Sequence, residues 1–201
     1  VTVFMIGDST MANKSLDKEN QERGWGQMLP IYFDGAIKID NHAVNGRSSK
    51  SFIDEGRWEK VREQIRPGDY VIIQFGHNDE KNKDARRYTV PGGTFDENLK
   101  KFVTETREKG GTPILMNAIV RRNFPKNNGD VAEDTDDQRK TWTKNFENYP
   151  SEGVILVDTH GKYLDSPRNV AKEMDVVFVD MNKLTHELVQ TLGATLSKNM
   201  Y

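Results

Sequence analysis

In VTVFMIGDST, residues 1–10, strand and turn signals stand side by side. A run of apolar and β-branched residues passes straight into Gly7-Asp8-Ser9-Thr10, as a buried strand opens into a turn. The pattern recurs along the chain. AIKIDNH at 36–42 leads to Asn45-Gly46-Arg47-Ser48-Ser49, and YVIIQF at 70–75 leads to Gly76-His77-Asn78-Asp79. PILMNAI at 113–119 leads to Val120-Arg121-Arg122, and VVFVD at 176–180 is a fifth run. A shorter run, VILVD at 154–158, reads as an accessory strand. Helical stretches lie between the runs. WEKVREQIR at 58–66 stops at Pro67-Gly68, and 95–109 puts Phe95, Leu99, Phe102 and Val103 on one face before Gly110-Gly111. Residues 167–174 and 184–192 are two more. Strand alternating with helix means an α/β fold, with a five-stranded parallel sheet covered by helices on both faces.

The chain has 201 residues, the size of a single domain. Its 29 Lys and Arg against 31 Asp and Glu give a net charge of −2, without the basic excess of a nucleic-acid binder. No apolar run is long enough for a membrane helix. The absence of Cys excludes disulfide scaffolds, thiolate metal sites and cysteine nucleophiles. Carboxylates are scattered and no His pair has ligand spacing, so neither metal nor cofactor is expected. Val1 opens directly on an apolar run, which fits a removed leader and a secreted or periplasmic protein.

Ligands of an open parallel sheet bind at the carboxyl ends of its strands. There Ser9 is the nucleophile candidate, although Asp-Ser-Thr is also helix-capping chemistry. Acyl transfer needs donors aimed at a developing oxyanion, and the Ser9 N–H, the Gly46 N–H and the Asn78 amide offer them from three strand ends. Asn45-Gly46 and Asn78-Asp79 each read alone as a turn or cap; all three blocks in this order point to acyl transfer. His77, beside Asn78, is expected near the substrate. The loops at 80–94 and 121–138 are long, polar and charged, which favours a carbohydrate over a lipid trough. Arginine forks match carboxylates, so Arg47 and Arg121 are expected to bind an acidic substrate, with Arg122, Arg86 and Arg87 as further candidates.

GDST at 7–10, NGRSSKSF at 45–52 and GHND at 76–79 resemble the first three blocks of the SGNH (GDSL-type) hydrolase superfamily. NHAVNGRSSKSFIDEGRW at 41–58, AIVRRNF at 118–124 and Gly24-Trp25-Gly26 narrow the likeness to rhamnogalacturonan acetylesterases, which deacetylate pectic rhamnogalacturonan. The resemblance implies a flavodoxin-like three-layer α/β/α sandwich acting on an acetylated acidic polysaccharide. It implies Ser9 as nucleophile and Ser9, Gly46 and Asn78 as the oxyanion hole.

Such a serine needs a general base and a carboxylate to orient it, which the family supplies from one C-terminal Asp-x-x-His segment. The residues three before His42, His77, His160 and His186 are Ile39, Gln74, Val157 and Lys183, so the segment is absent from these 201 residues. The family's C-terminal part, a last helix and its catalytic loop, is therefore expected to be missing. Its loss would leave an apolar sheet face open beside strand one, and the chain is expected to be inactive or nearly so. Asp158-Thr159-His160 pairs a carboxylate with an imidazole but has the wrong spacing and reads as a polar turn. Two alternatives stay open: a carbohydrate-binding protein without catalysis, and an esterase or lipase for other acyl groups.

Overall fold

Five parallel strands form the sheet of the computed structural model, which describes residues 1–124 and 155–200. They are β1 (Thr2–Gly7), β2 (Lys38–Asn41), β3 (Tyr70–Gln74), β4 (Thr112–Met116) and β5 (Val177–Val179), in the order β2-β1-β3-β4-β5. That is the flavodoxin-like order, with its switch point between β1 and β3. The register places Gly7 beside Gln74 and Gln74 beside Met116, so the carboxyl ends of the three central strands share one rim.

The helices are α1 (Trp25–Met28), α2 (Ser49–Asp54), α3 (Arg57–Arg62), α4 (Thr94–Glu108), α5 (Asp165–Met174) and α6 (Met181–Leu196). The chain divides into two compact units, one of Val1–Ala118 and Lys162–Asp180, the other of Ile119–Gly161 and Met181–Tyr201.

The first unit holds the sheet. Its core is a consequence of period. Phe4 and Ile6 of β1, Val71 and Ile73 of β3 and Leu115 of β4 alternate onto one sheet face. Helix α4 meets them with Phe95, Leu99, Phe102 and Val103, spaced at three, four and seven as a helix requires. Phe52, Trp58, Val61, Val170 and Ala171 complete the cluster from α2, α3 and α5. On the other face Val3, Met5 and Ile72 are buried too, so the open sheet face expected beside strand one is not found at these positions.

In the second unit Val120, Phe124, Leu156, Val189 and Ala194 form a smaller core. The accessory strand expected at 154–158 is corrected here: residues 155–158 form no strand, and 154 lies outside the described residues. Leu156 fills the small core, while among the described residues Val157 N–H makes one backbone bond, to Asn123 O at 2.9 Å. An apolar run this short is an anchor as easily as a strand, because one partner bond does not make a ladder. The loop expected at 121–138 lies outside the described residues beyond Phe124. Helix α6 begins before the expected 184 and is interrupted at Gly193, where the expected helix ends.

Candidate active site

The rim above β1, β2 and β3 is built from three turns. After Gly7 the chain reverses, with the N–H groups of Met11 and Ala12 donating to Asp8 O. Asp8 is buried, and its Oδ1 accepts from Thr10 N at 2.9 Å and Thr10 Oγ1 at 2.8 Å. That local side-chain bond holds Ser9 at the apex of the turn, half-buried. The segment at 24–26 presses on the turn from outside: a Cβ at Gly24 would collide with Ala12 O, which is why the small residue stands there.

The second turn follows β2. Gly46 adopts φ +74, open to glycine at no steric cost, and Lys14 Nζ donates to Asn45 Oδ1 at 2.9 Å beside it. Helix α2 starts at once, with Ser48 and Ser51 forming a reciprocal capping box. The third turn follows β3, where His77, Asn78 and Asp79 are all buried.

Three contacts close these turns into a ring. Val44 N–H donates to Gly7 O at 3.1 Å, joining the second turn to the first. Asn78 Nδ2 donates to Arg47 O at 3.1 Å, joining the third to the second. His77 Nδ1 lies 3.5 Å from Asp8 Oδ2, joining the third to the first. Ser9, Gly46 and Asn78 are each part of a joined residue or its chain neighbour, so the ring brings their three turns together. Among the described residues, no acceptor takes the N–H of Ser9 or of Gly46. Asn78 spends one side-chain N–H on Arg47 O, which leaves a second. The rim thus presents unspent N–H donors, the equipment for holding an anionic oxygen.

Two buried carboxyls set the local charge. Burial raises the cost of ionising Asp8, but the His77 imidazole and the two Thr10 donors outweigh it and hold this carboxyl below its ordinary value. Burial pushes Asp79 up to about 7, against donation from Ser49 and Thr89 and with the charge of Asp8 adding to the rise. Asp79 accepts from Ser49 N at 3.0 Å, Ser49 Oγ at 2.5 Å and Thr89 Oγ1 at 2.9 Å. It therefore fastens the turn carrying Asn78 to the first residue of α2 and to the far end of the 80–89 loop.

The other expected site residues, and the histidines, have partners of their own. Arg47 gives its Nε to Glu55 Oε2 at 3.0 Å and its Nη1 to Asn45 O at 3.0 Å, so it braces the second turn. Arg121 belongs to the second unit and is buried, with Nη1 bonding Thr159 Oγ1 at 3.0 Å and His160 Nδ1 at 3.3 Å. Arg122 is turned to Ser197 Oγ and Ala194 O in the same unit. His160 donates from Nε2 to Ile119 O at 3.0 Å, because a carbonyl only accepts and the guanidinium at Nδ1 only donates. Its backbone N–H rests on Asp158 Oδ1, whose other oxygen takes Asn182 Nδ2, so Asp158-Thr159-His160 is a closed turn. His186 bonds Leu156 O, and His42 lies 3.2 Å from Asp40 Oδ1. Among the described residues, no three His, Asp or Glu side chains group as metal ligands, and no helix is long and apolar enough to cross a membrane.

Two residues organise the rim in ways that sequence reading did not assign. Buried Gln74 accepts from Trp25 Nε1 at 2.8 Å and donates to Asn117 O at 3.1 Å, tying β3 to α1 and to the end of β4. A lone Gln at the end of an apolar run is the one signal that pointed to it. Arg87, read as one of two loop arginines, reaches Asn78 Oδ1 with Nη1 at 3.3 Å.

A model of the GDSL-like Lipase/Acylhydrolase family matches residues 5–196. The rhamnogalacturonan acetylesterase RhgT of Bacillus subtilis is 32% identical over 201 residues, all of this chain and 73% of RhgT. The probable rhamnogalacturonan acetylesterase YesY of the same organism is 38% identical over 135 residues, 67% of this chain and 60% of YesY. The crystal structure of the Bacillus subtilis protein YxiM superposes with a TM-score of 0.72 at 25% identity, over 99% of this chain and 48% of YxiM. The match across nearly the whole chain makes it a member of the GDSL-like lipase/acylhydrolase family, the SGNH hydrolases, and places it beside the rhamnogalacturonan acetylesterases within it.

Proposed function

We propose that this protein is a serine acetylesterase of the SGNH type, acting on acetylated pectic rhamnogalacturonan outside the cytoplasm. The observation that carries the reading is the ring of three turns, with the unspent N–H groups of Ser9 and Gly46 and the second amide N–H of Asn78. Ser9 Oγ attacks the acetyl carbonyl, and its proton passes to a base. The C=O electron pair moves to oxygen, held by Ser9 N–H, Gly46 N–H and Asn78 Nδ2. Collapse expels the sugar oxygen, which takes the proton, and leaves acetyl on Ser9. Water then attacks this ester and releases acetate. His77 orders the rim through Asp8. Likeness to RhgT along the whole chain supports the acidic polysaccharide as substrate.

The 201 residues contain no Asp-x-x-His, so on their own they supply the nucleophile and the oxyanion donors without the family's base. The expected residual catalysis is roughly 10³–10⁴ over water, the part that binding and an oxyanion hole provide alone. Acetate release from acetylated rhamnogalacturonan, measured for the protein as its gene encodes it, tests the reading. The expected outcome is release that stops in Ser9→Ala and exceeds release from acetylated xylan or a long-chain acyl ester. Preference for the long-chain ester sinks the substrate assignment. Tight binding of the polysaccharide with no release favours a carbohydrate-binding protein instead. Full esterase turnover by the 201 residues alone overturns the account of the base.

A further inference from the structure

We infer that Arg87 is a positioning residue for the oxyanion hole, acting through the side-chain amide of Asn78. The inference rests on the reading of Asn78 as an oxyanion donor.

An asparagine amide has an accepting end and a donating end, and only partners of fixed polarity tell it which way to face. Arg47 O can only accept, and it takes Nδ2 at 3.1 Å. A guanidinium can only donate, and Arg87 Nη1 meets Oδ1 at 3.3 Å. Together they hold the amide in one orientation, with Nδ2 on the side of the Gly46 turn. Arg87 is itself held. Its Nε donates to Asp84 Oδ2 at 2.8 Å, and the N–H groups of Arg87 and Tyr88 both donate to Asp84 O. Two residues on, Thr89 is pinned to Asp79 by its backbone N–H and by its hydroxyl. The loop after Asn78 thus folds back and returns a cation to the amide of the same turn.

This placement has two effects. It removes the freedom of the amide to swing its N–H away from the hole. It also draws electron density toward Oδ1, which makes the opposite N–H a stronger donor as negative charge develops. The second effect grows as charge develops on the oxygen, the first keeps the donor in place for it, and neither needs contact with the ground-state sugar, so they act on kcat rather than KM.

The test is a double-mutant cycle on the protein as its gene encodes it, with 4-nitrophenyl acetate as a small neutral substrate and thermal unfolding as a check on folding. Asn78→Ala is expected to lower kcat by roughly 10²–10³, the range for loss of one oxyanion donor. Arg87→Met is expected to lower kcat about tenfold with KM little changed, and to add nothing in the Asn78→Ala background. Asp84→Asn, which loosens the anchor of Arg87 without altering Arg87, is expected to give a smaller loss of the same kind. An Arg87→Met loss that persists undiminished in Asn78→Ala, or an unchanged kcat in Arg87→Met, overturns the inference alone. Full activity in Asn78→Ala overturns the oxyanion reading and the inference with it.

Discussion

Asp79 is a buried carboxyl whose ionisation works against the fold. Its ordinary value of 3.8 is raised to about 7, chiefly by burial. Below about pH 4 both native and unfolded chains hold the proton. Between about pH 4 and pH 7 the unfolded chain has lost it while the native one retains it, so stability falls as pH rises through this window. The full effect is on the order of 4 kcal/mol. Asp79→Asn keeps an acceptor where Oδ1 meets Ser49 and Thr89 and never ionises. Urea unfolding of the variant is expected to lose the decline seen in the parent between about pH 4 and pH 7. An unchanged slope contradicts the assignment. Asp8 has the opposite sign: its lowered value contributes stability above the ordinary carboxylate range, lost as pH falls through its native value. Gly46 sets a different limit. A Cβ there meets nothing within 4 Å, but φ +74 is strained for any L side chain. Gly46→Ala is expected to cost about 1–2 kcal/mol through backbone strain alone, measured by the same unfolding assay.

At the scale of elements, helix α4 carries the central packing. Phe102 is fully buried, 5.0 Å from the Trp58 ring and 5.6 Å from the Phe75 ring by centroids. Phe102→Ala is expected to cost about 3–5 kcal/mol. Tyr32, 78% exposed, is expected to tolerate Ala within about 0.5 kcal/mol. Equal losses at the two positions contradict the placement of the core. Long apolar periodicities such as α4 were legible because one face must be buried whatever surrounds it. Two short stretches were not. Helix α2 has a polar sequence, SKSFID, and owes its start to the Ser48–Ser51 box and to Asp79, a residue thirty positions away. The run at 155–158 has strand composition yet forms no strand, since pairing depends on partners that composition does not name. Arg121 reads as a fork for an acidic substrate because it follows a strand run, and only the tertiary structure supplies Thr159 and His160 as its partners.

For the whole molecule, a parallel sheet in the order β2-β1-β3-β4-β5 brings the strand ends of distant segments to one rim. Ser9, Gly46 and Asn78 were legible as a set because each follows an apolar run and the rule for such sheets names that edge. The ring that joins their turns was not legible, since Val44–Gly7, Asn78–Arg47 and His77–Asp8 are contacts of backbone and long side chains across thirty or more residues. Acyl transfer through Ser9 is the chemistry proposed for this rim. Its most direct test is to quench the protein as its gene encodes it during turnover of an acetyl ester and map the modified peptide by mass spectrometry. A single acetyl group on Ser9 is expected, absent from Ser9→Ala together with turnover. Acetyl on another residue, or undiminished turnover in Ser9→Ala, contradicts Ser9 as the nucleophile.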